Sequence, residues 1–304
     1  MMKTNIKQNF CENKTIVNSF NKTILSLVLM IIGCMVSCDN QLEEVNIPGE
    51  QLQVKAVVGE ADSRAIIEGE SFPDKSEIGL TLEGYSFSNI KFTAAGTGAS
   101  QSWAGASAML LSETKGTLYG YHPYSSTTTN LTAIPLATSG QTDYMYATSV
   151  ANISESNSVA TLKFNHAMAC IRVTIKKGTY AAGNGAITAV SVKSEGFGTT
   201  GTLNAKTGAV TATGTNTAVS QTVSKTLGAT VDALVVPASV EKTITFSVTV
   251  DGTTYTATSK AVKVDKNNIY TYTVTLNSTF MEVSGVSIGK WTTTPKDTDL
   301  ILNK

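Results

Sequence analysis

The chain has little of what nucleotide binders, metalloenzymes and hydrolases are built from. Among 304 residues there are two histidines, His122 and His166, and two arginines, Arg64 and Arg172. Arginine is the side chain best suited to bidentate phosphate and carboxylate recognition, so a dedicated phosphate surface is not expected. Charged residues make up 15% and the formal net charge is zero, which leaves no bulk field to gather nucleic acid or acidic substrates. No nucleic-acid partner is expected. Gly-x-Ser-x-Gly, His-Glu-x-x-His, P-loop and Cys-x-x-Cys patterns do not occur. Asp297-Thr298-Asp299 lacks the glycine and the distant glutamate of a calcium loop. His122 precedes Pro123 in a turn and His166 alternates with Phe164 and Met168, so both read as structural. The expectation is a protein with no catalytic residue, metal or cofactor, and not an enzyme.

Cysteine is scarce in a telling way. Cys11 and Cys34 lie in or before an apolar leader, Cys38 ends it, and Cys170 stands alone. A mature chain has no pair for an internal disulfide, so hydrophobic cores must hold it together. Cys170 reads as a small buried hydrophobe.

What the chain has is threonine, serine, valine, alanine and glycine, the composition of strands and turns. After the leader there is no long run with a 3.6-residue apolar period. Residues 51–58 alternate apolar Leu52, Val54, Ala56 and Val58 with polar partners, as a half-buried strand does. Short strands follow, split by Gly, Ser, Asn and Pro, and residues 94–107 read as an exposed loop around Trp103. Residues 160–175 give the best-marked strand of the first half. A change of apolar parity near Ala169-Cys170 implies a bulge or a strand covered on both faces. Asp251-Gly252 between two alternating runs is the strongest hairpin signal. The glycine-rich segment around residues 178–185 is the clearest linker. The fold class is all-β, and the economical arrangement is two antiparallel β-sandwich domains, residues 65–180 and 181–304.

The N-terminal residues form a separate unit. Lys14 and Lys22 precede an apolar core too short to span a bilayer, a signal-peptide pattern over residues 1–37. Met35-Val36-Ser37-Cys38 resembles a bacterial lipobox, which makes Cys38 the lipidated residue and outer-membrane lipid a partner. Ile31-Ile32-Gly33-Cys34 is a competing match, and a plain signal peptide is the alternative to both. Residues 38–64 then carry an acidic tether, the first strand and a polar loop ending at Arg64.

Several motifs together resemble the fimbrillin family of pilus subunits. They are the lipobox, Ser63-Arg64-Ala65, Gly120-Tyr121-His122-Pro123-Tyr124, Ile134-Pro135-Leu136, and Gln141-Thr142-Asp143-Tyr144-Met145. Leu162-Lys163-Phe164-Asn165-His166-Ala167-Met168-Ala169, Val236-Pro237, the Asp251-Gly252 hairpin and Ile288-Gly289-Lys290-Trp291 complete the set. The resemblance implies two transthyretin-like sandwiches in tandem and export as an outer-membrane, cell-surface lipoprotein. It implies that an arginine-specific protease cuts Arg64-Ala65 and removes the strand bearing Leu52, Val54, Ala56 and Val58. Other pilin subunits would then fill the vacated groove with a donor strand. In this chain that donor would be the C-terminal stretch with Met281, Val283, Val286 and Ile288. The runner-up reading is a monomeric surface lipoprotein that binds glycans or host ligands on an aromatic platform drawn from Trp103, Tyr119, Tyr121 and Tyr124.

Overall fold

The computed structural model describes residues 49–59 and 71–291. The leader, Cys34, Cys38, the Arg64-Ala65 bond and the tail from residue 292 lie outside them. Up to residue 166 the chain forms β1 (Gln53–Val58), β2 (Glu77–Glu83), β3 (Phe87–Ala95), β4 (Ser102–Gly105), β5 (Gly116–His122), β6 (Ile134–Ala137), β7 (Met145–Ala147), β8 (Val150–Ile153) and β9 (Val159–His166). There follow β10 (Ala169–Lys177), β11 (Ala186–Lys193), β12 (Phe197–Asn204), β13 (Ala209–Thr215), β14 (Val219–Thr226) and β15 (Thr230–Pro237). The last are β16 (Glu241–Lys242), β17 (Thr245–Val250), β18 (Thr253–Thr258), β19 (Val262–Lys263), β20 (Asn268–Leu276), β21 (Met281–Val283) and β22 (Ser287–Lys290). Helix is confined to one 3-10 turn, Gly98–Ser100, among the described residues. The all-β expectation from composition therefore holds.

The first sheet runs β1-β9-β7-β5-β2-β3-β4, with β8 also against β5. The second runs β13-β12-β15-β10-β20-β21, with β6 added to β12 and β22 to β20. A third, β14-β11-β17-β18, covers one face of the second, and β16 pairs with β19 alone. Ala169, Ile171, Val173 and Ile175 of β10 meet Val190, Val192, Phe246 and Val248 of the third sheet in one core. The other face of the second sheet, through Cys170, Leu203, Leu234 and Val236, packs against Tyr121, Ile134 and Leu136. A layer buried on both faces needs near-continuous apolar strands. β15 supplies one, with Ala233-Leu234-Val235-Val236-Pro237 all buried.

That middle layer corrects two sequence expectations. Residues 160–175 are not one bulged strand. The chain breaks at Ala167-Met168 because β9 pairs with β1 and β7 in the first sheet, whereas β10 pairs with β15 and β20 in the second. The parity change arises because Cys170 and Ile171 are both fully buried on opposite faces of β10. Residues 94–107 are not all loop: Trp103 sits on β4, paired to β3, and meets Phe72 edge to face at 5.4 Å. Strand sorting also crosses the 180–181 point. β6 and β10 come from before it and pair with β12, β15 and β20 from after it.

The expected Asp251-Gly252 hairpin joins β17 and β18, with φ of +47° and +81° at the two turn residues. Asp251 does more than turn the chain. Its carboxylate accepts from the Tyr180 hydroxyl at 2.7 Å and from the N–H groups of Gly185 and Ala186 at 2.7 and 3.0 Å, pinning the glycine-rich segment to the hairpin. Those donors, the phenol foremost, hold its acidity below the ordinary 3.8, and the same hydrogen bond pushes the Tyr180 phenol up to about 12. A carboxyl with a depressed folded-state value stabilises above its unfolded value and loses that contribution as pH falls through the folded one. A thermal melt series should therefore show stability falling below pH 3.8, with Asp251→Asn flattening that acid limb and lowering the neutral plateau. An unchanged acid limb in Asp251→Asn would dismiss the clasp.

Candidate functional site: the first strand and its seat

β1 forms where the sequence alternates, and the alternation is spent on burial. Leu52, Val54, Ala56 and Val58 are 3, 7, 7 and 2% exposed, while Gln53 and Lys55 face solvent. The strand runs parallel to β9, with Val54 opposite Ala160, Ala56 opposite Leu162 and Val58 opposite Phe164. Ala160, Leu162 and Phe164 are completely buried and share one core with the β1 residues, Ile78, Leu80, Leu118 and Met145. Sequence reasoning located this strand and its inward set. It did not foresee the parallel pairing, because the partner lies a hundred residues away in the chain.

β1 is a terminal strand of its sheet, so only one side carries a full ladder. The other side is met briefly, at its start. There Leu52 N–H donates to Met109 O and Leu111 N–H donates to Glu50 O, both at 3.0 Å, and Gln51 bridges Leu110. The approach is close: a Cβ at Gly49 would lie 2.5 Å from Leu111 O. At the far end Gly59, at φ +84°, gives its N–H to Phe164 O at 2.8 Å and turns the chain away. Beyond the undescribed residues that carry Arg64 and Ala65, the chain is pinned again by Phe72. Its ring, 2% exposed, lies 5.1 Å from those of Phe164 and His122. β1 is thus a separable piece: one ladder, one short bridge, and a firm anchor downstream of it.

Arg172, the other arginine, lies in β10 between two paired neighbours, and its Nε and Nη2 donate to the two Asp232 carboxylate oxygens at 2.8 and 2.7 Å.

The C-terminal candidates lie at the opposite end of the molecule's strand order, on the edge of the second sheet. β21 and β22 pair antiparallel with β20 of the same chain. Met281 is buried, Val283 and Val286 pack partly against the core, and Ile288 is 53% exposed. The two ladders are one residue out of phase. Val283 faces Val274, and in-phase continuation would set Val286 against Thr271, where Ser287 is found instead.

Sequence reasoning missed what fastens this edge. Trp291 is 1% exposed and stacks on His166, ring centroids 4.1 Å apart and planes within 10°. His166 Nδ1 faces both carboxylate oxygens of Asp143, at 2.9 and 2.8 Å, and all three groups are buried. Trp291 N–H donates to Asn267 O, and Asn267 N–H donates to Met168 O, at 3.0 and 2.9 Å. One aromatic stack therefore bolts the end of β22 to the β9–β10 junction. The signal was present in three separate motifs of the sequence, but nothing local joins Asp143, His166 and Trp291.

Remaining sequence candidates are engaged individually. The Tyr121 hydroxyl donates within reach of Asn89 Oδ1 at 2.7 Å, and Tyr119 lies under the Lys206 ammonium at 5.3 Å. Lys91 sits over Tyr124 at 5.8 Å, and Trp103 packs on Phe72. These aromatics belong to separate contacts and form no shared platform. Burial lowers the basicity of His122 and raises the Cys170 thiol well above its ordinary value, which suits packing.

With this geometry established, the sequence matches the profile of fimbrillin-like proteins over residues 64–291. No match is found among curated proteins. Among solved structures, a candidate cell adhesion protein from Bacteroides uniformis superposes with a TM-score of 0.63 at 23% identity, covering 80% of this chain and 98% of that one. Another from Bacteroides ovatus gives 0.64 at 19% identity, with 80% and 98% covered. At these identities the likeness is one of fold.

Proposed function

The chain belongs to the fimbrillin-like family, and on that premise we propose that it is a structural or adhesive subunit of a cell-surface pilus, exported as a lipoprotein and assembled by protease-triggered strand exchange. The observation that carries this reading is β1. It is a terminal strand with four buried side chains, a ladder on one side only, and a following segment that contains Arg64. Its loss would uncover an apolar face and a row of unpaired β9 backbone groups, which is a template for strand addition. The matched Bacteroides structures are described as candidate cell adhesion proteins, in keeping with the role. Cys38 holds the precursor to outer-membrane lipid, an arginine-specific protease cuts Arg64-Ala65, and other pilin subunits are the partners. Residues 65–180 and 181–304 are read as two transthyretin-like sandwiches, the second sheet serving as the layer they share. Cleavage is confined to Arg64 because Arg172 is held by Asp232 inside a paired strand.

The test is the N-terminus and apparent mass of the protein recovered from the cell surface. The expected wild-type result is a start at Ala65 and a high-mass ladder that collapses on boiling. Arg64→Ala is expected to keep the lipidated Cys38 start and to run as monomer. A wild-type protein that stays uncut and monomeric rejects the assembly mechanism.

A further inference from the structure

We propose that the emptied β1 seat accepts residues 281–287 of a second copy of this chain in one fixed register: Met281 at the Leu52 place, Val283 at Val54, Gly285 at Ala56 and Ser287 at Val58. This rests on the strand-removal reading above and adds to it the identity, register and size rule of the incoming strand.

The seat sets four requirements. Its inward places hold a long apolar side chain, Val, Ala and Val, each under a tenth exposed, and its outward places hold Gln53, Lys55 and half-buried Val57. The third place is the selective one. Ala56 stands opposite Leu162 in a core where Leu162, Phe164, Leu80 and Leu118 are fully buried. Close-packed interiors admit a smaller group more readily than a larger one there. Laid over residues 52–58, Leu-Gln-Val-Lys-Ala-Val-Val, the stretch 281–287 reads Met-Glu-Val-Ser-Gly-Val-Ser. Long apolar, Val and small residues fall at the first three seats, Val286 repeats Val57, and Glu282 and Ser284 point to solvent. Only the last seat is downgraded, from Val to Ser at the strand's end.

Other registers fail on simple grounds. A shift by one drives the Glu282 carboxylate into the Leu52 place, a charge with no partner there. A shift the other way by two sets Val283 at the Ala56 place and overfills it. Residues 234–240 carry the same apolar spacing, but β15 is paired on both sides and Pro237 would stand where Lys55 gives an N–H. The 281–287 stretch, in contrast, lies at a sheet edge with β20 as its ladder partner, in two ladders out of phase. Straightening it brings 281, 283, 285 and 287 onto one face.

The register can be read in the intact full-length chain, without cleavage or polymer. One variant carries residues 281–287 grafted over 52–58 (L52M, Q53E, K55S, A56G, V58S). A second carries 282–288 grafted over the same positions, and a third carries Ala56→Leu alone. Hydrogen exchange of the β1 amides should stay protected in the first and accelerate roughly 100-fold or more in the other two, with the second-sheet amides unchanged in all. Equal protection in the two grafts, or equal loss, overturns the register, and retained protection in Ala56→Leu overturns the size rule. A protected in-register graft in a chain that never polymerises would leave the seat assignment standing and remove the exchange mechanism.

Discussion

Trp291→Ala is expected to be the most damaging single truncation in the C-terminal half, costing about 3–5 kcal/mol. Trp291 is among the largest fully buried side chains, and its removal strips the stacked face from His166 and opens a cavity between the β9–β10 junction and β22. The His166–Asp143 pair would then face that cavity, and a buried polar pair tolerates loss of its packing poorly. Trp291→Phe should cost clearly less. It keeps a ring on His166 and removes the indole N–H, which has no acceptor within the protein. Chemical denaturation gives the magnitudes, and hydrogen exchange gives the location. Protection should fall first at β21 and β22, then at the β20 edge. If Trp291→Ala costs under 1 kcal/mol, the stack is incidental and the edge is held by its ladder alone.

The second large effect is expected at Val54→Asp, which should unseat β1 while leaving the rest folded. Val54 is 7% exposed, opposite Ala160 in the first-sheet core, with no cation placed to receive a carboxylate. Keeping the strand would mean burying that charge; releasing it gives up on the order of 6 kcal/mol, at roughly 1.5–3 kcal/mol for each of Leu52, Val54 and Val58. A terminal strand held by one ladder and one short bridge can leave alone. Exchange protection should vanish at residues 52–58 and fluorescent dye should bind the bared face. The core between the second and third sheets should keep its native protection. Loss of protection everywhere in one transition would mean that β1 is integral to a single cooperative unit and cannot be a removable piece.

Both expectations turn on features that differ in how far the sequence discloses them. Alternation over residues 51–58 announced a strand and named its buried side, because a pleated strand sends successive side chains to opposite faces whatever its partner is. The Asp251-Gly252 turn was legible for a similar reason: positive φ at both turn residues is a local demand met by local chemistry. Residues 160–175 misled. Two strands in different sheets, joined by Ala167-Met168, look like one strand with a parity fault when the partners are unknown. Around Trp103 the small polar residues hid β4, whose pairing with β3 supplies what its composition does not.

The sequence by itself determined the all-β class, the inward and outward faces of each alternating run, the hairpin, and the family to which the chain belongs. These depend on period, turn chemistry and short motifs, which are properties of neighbours in the chain. The tertiary structure alone decided that β1 lies parallel to β9 at a sheet end. It alone decided that β10 and β6 enter a middle layer buried on both faces, and that Asp143, His166 and Trp291 meet in one bolt. Those are choices of partner between distant segments, fixed by which apolar faces can be buried together, and no local pattern encodes them.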